Sequence, residues 1–252
     1  MSARSPFRGP LGLARAGFAQ IGWSLVWAGL GAAVTALAWP ALAPTWLALP
    51  IFVAWFFRDP ERVVSEHADA VVSPADGRVD DLAEIEACPF VEGRVLRIGI
   101  YLSLFSVHVQ RAPCDATVVS SAARAGRRVA THRVGELDGN EQHLTTFARA
   151  ATAPAFAAVR QIAGPVARGI VNVLGPGDRI VRGARFGLIR FGSRVELYLA
   201  LDVVREVLVR RGDRVRAGAS PLAMIEPLAN SGSIATSSAV GSSTSDPRTQ
   251  CP

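Results

Sequence analysis

The sequence predicts a β-rich α+β domain carried behind an N-terminal apolar helical membrane anchor, and three observations carry that expectation. Residues 18–39 hold no charge over 22 positions, enough for a helix to cross a hydrocarbon core of about 30 Å. After Asp59 the chain breaks into short apolar runs separated by Gly, Pro and Asp, the pattern of strands joined by tight turns. The unit Gly177-Asp178-Arg179-Ile180-Val181-Arg182-Gly183 returns 35 residues later as Gly212-Asp213-Arg214-Val215-Arg216-Ala217-Gly218, each copy reading as turn, strand and second turn.

Arg4, Arg8 and Arg15 precede the first apolar stretch, and Arg58 and Arg62 follow the second. Positive charge on both flanks predicts that both ends face the cytoplasm, which makes the anchor a hairpin in the inner cell membrane. Pro40 and Pro44 interrupt it, and the uncharged stretch 45–57, 13 residues long with Pro50 inside, either spans or lies in the interface. Trp23, Trp27, Trp39, Trp46 and Trp55 are all the tryptophans of the chain, the distribution of interfacial anchors. A signal peptide fits poorly, because the apolar region is too long and lacks a small-residue cleavage site. A formal charge of +6 favours an anionic partner. Beside such an anchor that partner is a lipid surface rather than nucleic acid.

The segments expected are thus an anchor over 1–57, a folded domain over 58–229, and a disordered Ser/Thr/Gly-rich tail over 230–252. Strands are expected at 71–72, 95–102, 107–109, 117–120, 170–173, 185–189 and 195–201, with Pro74-Ala75-Asp76-Gly77 as a turn. The stretch 152–162 reads equally well as strand or helix. Cys88, Cys114 and Cys251 are odd in number and without metal-type spacing, so neither a disulfide framework nor a metal site is expected. The Gly-Asp units, with Ser73-Pro74-Ala75-Asp76-Gly77-Arg78-Val79, resemble the hammerhead hairpins of biotinyl and lipoyl domains, which implies a small barrel-like scaffold. All 27 basic residues are arginine. Without lysine the chain bears neither a biotinyl or lipoyl group nor a pyridoxal Schiff base, and any amine-to-carbonyl chemistry needs a carbonyl of its own.

Phe191-Gly192-Ser193 offers one. In a strained strand a serine hydroxyl attacks the preceding carbonyl, where glycine leaves the approach open, and β-elimination followed by hydrolysis converts the serine to a pyruvoyl group. A Gly-Ser pair alone fits a strand bulge just as well.

Four motifs in order narrow the choice: Ser73-Pro74-Ala75-Asp76-Gly77; Tyr101-Leu102-Ser103-Leu104-Phe105-Ser106-Val107-His108-Val109-Gln110-Arg111-Ala112-Pro113; Ile162-Ala163-Gly164 with Val166-Ala167-Arg168; and Phe186-Gly187-Leu188-Ile189-Arg190-Phe191-Gly192-Ser193. Together they closely resemble the short bacterial and archaeal form of phosphatidylserine decarboxylase, over roughly residues 58–227. The resemblance implies a proenzyme that cuts itself between Gly192 and Ser193 into a membrane-attached β chain, 1–192, and an α chain, 193–252, whose N-terminus becomes the pyruvoyl cofactor. It implies that the amine of phosphatidylserine condenses with that carbonyl as a Schiff base, loses CO2 and leaves as phosphatidylethanolamine. Homo-oligomerisation stays open.

By the same resemblance Asp76 serves self-cleavage and His108 supplies a proton during turnover. Long forms of the family carry a second histidine three residues on, where this chain has Arg111, so a simple Asp-His-Ser relay is not expected. Glu141 and His143 are weaker candidates, and His67 and His132 are read as surface. Two rivals remain: a non-enzymatic anchored β module, and a pyruvoyl decarboxylase of a soluble amino acid, for which the anchor would have no purpose.

Overall fold

The computed structural model describes residue 7 and residues 9–127, 134–165, 167, 169–191 and 193–226; the expected tail, 230–252, lies outside them. Helix α1 is Phe18–Ala38 and α2 is Ala48–Phe56, joined by a 3-10 run over Pro40–Leu47. The strands are β1 Ala70–Val72, β2 Gly77–Ile85, β3 Val95–Leu102, β4 Val109–Arg111, β5 Ala116–Arg124, β6 Gln142–Ala148 and β7 Ala155–Ala163. They continue with β8 Ile170–Asn172, β9 Arg179–Ile180, β10 Arg185–Ile189, β11 Ser193–Ala200, β12 Val204–Val207, β13 Arg214–Val215 and β14 Pro221–Ile225. The ambiguous stretch is therefore the strand β7, buried along almost its whole length between β6 and β11.

At 21 residues α1 is about 31 Å long, and it is long and apolar enough to cross a bilayer. Pro40 stops it, because the residue before a proline is driven out of the helical region. Gly31 then leaves the space that the Trp46 ring fills, and Trp46 Nε1 donates to Thr35 Oγ1 at 2.9 Å, folding the second segment back along the first. The two ends of this hairpin meet. Ala14 N–H donates to Phe57 O (2.8 Å), Asp59 N–H to Gly12 O (2.6 Å), and Leu13 bridges Arg58.

Three sheets follow: β1-β14-β12, β4-β10-β8, and an eight-stranded antiparallel sheet in the order β13-β2-β3-β11-β7-β6-β5-β9. That order hides a duplication. The Gly-Asp repeat supplies both edges, β9 and β13, and several hydrogen bonds of the two regions correspond. Asp76 Oδ1 accepts from Ala217 N–H as Asp115 Oδ1 accepts from Arg182 N–H, both at 2.7 Å. Gly218 N–H donates to Ser73 O (2.8 Å), and Gly183 N–H to Ala112 O (2.9 Å). Val72 N–H reaches Pro113 O, and Arg111 N–H reaches Pro74 O. The domain is thus two similar halves: β1–β3 with β11–β14, and β4–β10.

The second half is continuous in sequence and interrupts the first. The chain crosses between halves twice, at 103–108 and at 190–192. The crossings are neighbours, because Leu102 pairs with Ser193 and Ile189 N–H donates to His108 O. One apolar core lies in the β domain; a second, built from Phe7, Ala14, Val53, Phe56, Phe57, Val107, Val109 and Leu188, joins the end of α2 to the two crossings.

Candidate active site

Ser193 opens β11 between Leu102 of β3 and Ala163 of β7. Alternation along the strand puts it on the face of Val195, Leu197 and Leu199, all in the main core. It is 1% exposed, and its Oγ has no hydrogen-bond partner among the described residues. A buried hydroxyl without a partner costs about 1–3 kcal/mol, an exception that calls for a chemical reason.

Two residues upstream, Phe191 has φ +62°, in the left-handed region that a bulky side chain rarely enters. Such a conformation costs roughly 1–3 kcal/mol and persists only when its surroundings impose it. Here the end of α2 imposes it: the Phe191 ring stacks on Phe56 at 4.5 Å and meets Phe57 edge-on at 5.8 Å. Gly192 lies outside the described residues; the bond to Ser193 is framed by a strained residue before it and a sealed hydroxyl after it.

His108 ends the other crossing. Its ring is buried at 4.3 Å from Phe56, and Nδ1 lies 3.0 Å from Ser106 O. A carbonyl only accepts, so Nδ1 carries the hydrogen and Nε2 presents its lone pair. Burial drives the pKa down to about 4, helped by the Arg58 charge and opposed by the Ser106 carbonyl. The imidazole is neutral at physiological pH. Behind it, Asn172 Nδ2 donates to Gln161 Oε1 (2.9 Å), Gln161 Nε2 to Gln110 Oε1 (2.9 Å), and Gln110 Nε2 to His108 O (2.9 Å). This amide chain fixes the backbone that carries the ring, and Gly187 makes room for it, since a Cβ there would strike Gln161 Nε2.

Asp76 forms the predicted turn. Beyond the bond from Ala217, its Oδ2 accepts from Arg62 at 2.8 Å. Burial raises its pKa, against the pull of the Ala217 N–H and of the Arg62, Arg58 and Arg111 charges. It lies at the same end of the sheet as Ser193 with β3 between them, a separation of about 10 Å for strands some 4.8 Å apart. Among the described residues no hydrogen bond joins the two.

Glu141 reaches this end from the opposite side, where its carbonyl accepts from Ala163 N–H at 2.9 Å. His143 stands opposite Gln161, its Nε2 2.8 Å from Ser121 Oγ, in a cavity of about 270 Å³ also lined by Arg124, Glu141 and Ile170. Burial lowers its pKa. Arg111 braces the chain that leaves the anchor, donating to Asp59 Oδ1 (3.3 Å), Pro60 O (2.9 Å) and Gly183 O (3.2 Å). His67 gives only its carbonyl, to Arg182, and His132 lies outside the described residues.

Sequence reasoning missed the partners that shape the site: the left-handed Phe191, the Phe56-Phe57 pair, Arg62 and the amide chain. One signal was available. Gln161 occupies a core-facing position of β7, in line with Val159 and Ala163, and a polar residue in such a place needs a partner.

A family model described as phosphatidylserine decarboxylase matches residues 49–223. The chain is 44% identical over 204 residues to the phosphatidylserine decarboxylase proenzyme of Symbiobacterium thermophilum, covering 79% of this chain and 92% of the relative. It is 37% identical over 223 residues to the proenzyme of Carboxydothermus hydrogenoformans, covering 86% and 98%. To that of Desulfotalea psychrophila it is 40% identical over 175 residues, covering 69% and 79%. The matched span begins inside α2, with the aromatic residues that grip Phe191, and runs through both crossings and both copies of the Gly-Asp repeat to β14. This chain belongs to the phosphatidylserine decarboxylase family.

Proposed function

We propose that the chain matures by cutting itself between Gly192 and Ser193, and that Ser193 becomes a pyruvoyl group with which the enzyme decarboxylates phosphatidylserine to phosphatidylethanolamine. As a member of its family the chain is a carboxy-lyase and a proenzyme. The observation that carries the finer reading is the juxtaposition at residues 191–193: backbone strain on one side of the bond, and on the other a buried nucleophile that no hydrogen bond restrains.

Ser193 Oγ attacks the Gly192 carbonyl carbon; the C–N bond breaks and an ester takes its place. Elimination across Cα–Cβ of Ser193 then releases the Gly192 carboxylate, and hydrolysis of the resulting enamine gives ammonia and the pyruvoyl group. The residues present suit such a group. Ser193 sits in a dry, core-facing position where a small uncharged carbonyl replaces a hydroxyl lacking a partner, and no lysine anywhere supplies a competing site. When formed, the group supplies an electron sink for the carbanion left by CO2.

Asp76 is the carboxylate of self-cleavage in this reading, its raised pKa favouring proton uptake. His108, neutral at physiological pH, takes a proton from the substrate ammonium and returns it to the α-carbon after CO2 has left. It is a proton carrier rather than a donor charged from the start. The apolar faces of α1 and α2 lie in the bilayer on its cytoplasmic side, and substrate enters at the Trp55-Phe105 edge, where the exposed Phe105 continues the anchor surface. We read the two halves of the domain as the hammerhead-like units expected from the Gly-Asp repeats, a reading supported by the matching hydrogen bonds at their turns.

Intact-mass measurement tests the reading. Two fragments are expected, 1–192 and a chain starting at residue 193 that is blocked to Edman degradation. An active enzyme made only of uncut chain would overturn it.

A further inference from the structure

We infer that Arg190 is the residue that binds the phosphodiester of the substrate headgroup, an inference that rests on Ser193 being the reacting residue. Four other arginines near the two crossings are committed. Arg58 gives Nη1 to Trp55 O (2.9 Å) and Nη2 to Phe105 O (2.7 Å), Arg62 holds Asp76, and Arg111 and Arg185 share Asp59. Arg190 differs. Its Nε is buried with no acceptor, and it makes no ion pair among the described residues. The carboxylates that neighbouring guanidinium groups use, Asp59 and Asp76, are already taken.

Its position is fixed all the same. Arg190 N–H donates to Gly169 O at 3.2 Å, one step beyond the pairing of Ile189 with Ile170. Gly169 has φ +114°, closed to ordinary side chains, and a Cβ there would sit 3.9 Å from Arg190 Nη1, which places the guanidinium against the Gly169 backbone. The result is a cation close in sequence to the reacting residue, partly out of water and without an ion-pair partner among the described residues. Ser193 lies three positions further on, at most roughly 11 Å of chain.

Phosphatidylserine presents an anion at the matching distance. Only the α-carbon, the β-carbon and an ester oxygen separate its amine nitrogen from phosphorus, so an amine placed at residue 193 brings the phosphodiester within reach of a nearby arginine. The two non-bridging oxygens match the guanidinium fork, whose charge-assisted bonds are about twice as strong as neutral ones. The substrate carboxylate is a poorer partner, since a fixed cation bound to it would oppose its loss as CO2.

The test uses the full chain carrying Ser193→Ala, which binds without turning over, with and without Arg190→Gln. The probes are short-chain phosphatidylserine, short-chain phosphatidylethanolamine and an O-alkyl serine amphiphile lacking phosphate. Arg190→Gln should weaken binding of both phospholipids about tenfold or more and leave the amphiphile unchanged. In the self-cleaving background the same change should raise KM for phosphatidylserine more than it lowers kcat, and Arg190→Lys should recover part of the loss. Phosphatidylethanolamine binding that survives Arg190→Gln would overturn the inference in favour of carboxylate recognition. Equal losses for all three probes, or none, would overturn it as well. A gel for the cleaved fraction of the parent enzyme is read in parallel, so a failure of the Ser193 reading shows as uncut chain while the binding result stands.

Discussion

The two halves of the β domain share a backbone plan and differ in what they place at its crossings. In one, Asp76 braces the turn at Ala217; in the other, Asp115 braces the turn at Arg182 by the same bond at the same length. Ile189 N–H donates to the carbonyl of His108, and in the corresponding place Ile225 N–H donates to the carbonyl of Asp69. Yet Asp76 is half-buried beside Arg62 and Arg58 near the crossings, whereas Asp115 is exposed, and the ring of His108 is sealed under Phe56, whereas Asp69 is half open to solvent. The comparison teaches that the shared hydrogen bonds belong to the scaffold. In the proposed function what would belong to chemistry is the surplus: burial, nearby charge and the aromatic cover lent by the end of α2.

The cut proposed between Gly192 and Ser193 would fall where the chain passes from the inserted half back into the first, so neither half would lose an internal strand connection, and β11 is paired with both β3 and β7. Arg194, the second residue of β11, is fully buried and tied to Asp80 and Glu196. These contacts would hold the start of the strand against fraying after such a cut.

Substitutions put the comparison at risk, and the largest effect is expected at the crossing itself. Ser193→Ala should abolish both cleavage and decarboxylation, since neither the ester nor the carbonyl can form; any residual CO2 release above background would place the reacting residue elsewhere. His108→Ala should mature normally but lose on the order of 10²-fold or more in CO2 release per pyruvoyl group. Wild-type turnover in that variant would reduce His108 to a strand residue and move attention to His143.

The paired aspartates give the sharpest test. Asp76→Asn and Asp115→Asn each weaken one brace and should each cost about 1 kcal/mol in urea unfolding. Only Asp76→Asn should slow self-cleavage, measured as the cut fraction against time. Comparable slowing by both would mean that the braces act through stability alone.

A smaller effect is expected in the pH dependence of folding. His108 has a folded pKa of about 4 against 6.5 when unfolded, so the unfolded chain binds more protons between these values. Its contribution to stability is present above pH 6.5 and is lost as the pH falls toward 4. His108→Gln should flatten that part of the stability curve. Asp76, with its pKa raised by burial, works in the opposite direction, and the slope that survives His108→Gln should fall further in the His143→Gln double variant, because burial lowers the His143 pKa as well.

Much of this protein was legible before any coordinates. Periodicity and turn residues located most strands to within a few positions, because a half-buried strand must alternate and a tight turn must use Gly, Pro or Asp. The uncharged run read directly as α1, since length and apolarity are local properties. The stretch that became β7 was not legible in this way: buried on both faces, it lacks alternation, and only its neighbours β6 and β11 decide that it is a strand. The second half of the duplication was equally hidden, because Ser73-Pro74-Ala75-Asp76 and Ala112-Pro113-Cys114-Asp115 share little beyond proline and aspartate, while their hydrogen bonds coincide.

The sequence by itself determined the chemistry on offer: an arginine-only cation set, a glycine before a serine, and a histidine and an aspartate in recognisable settings, all of them properties of single residues and short spacings. Tertiary structure alone decided how those groups are poised. The strain at Phe191, the sealed hydroxyl of Ser193, the neutral imidazole of His108 and the uncommitted charge of Arg190 all arise from contacts between segments far apart in the chain. Burial and pairing are sums over neighbours that only folding brings together.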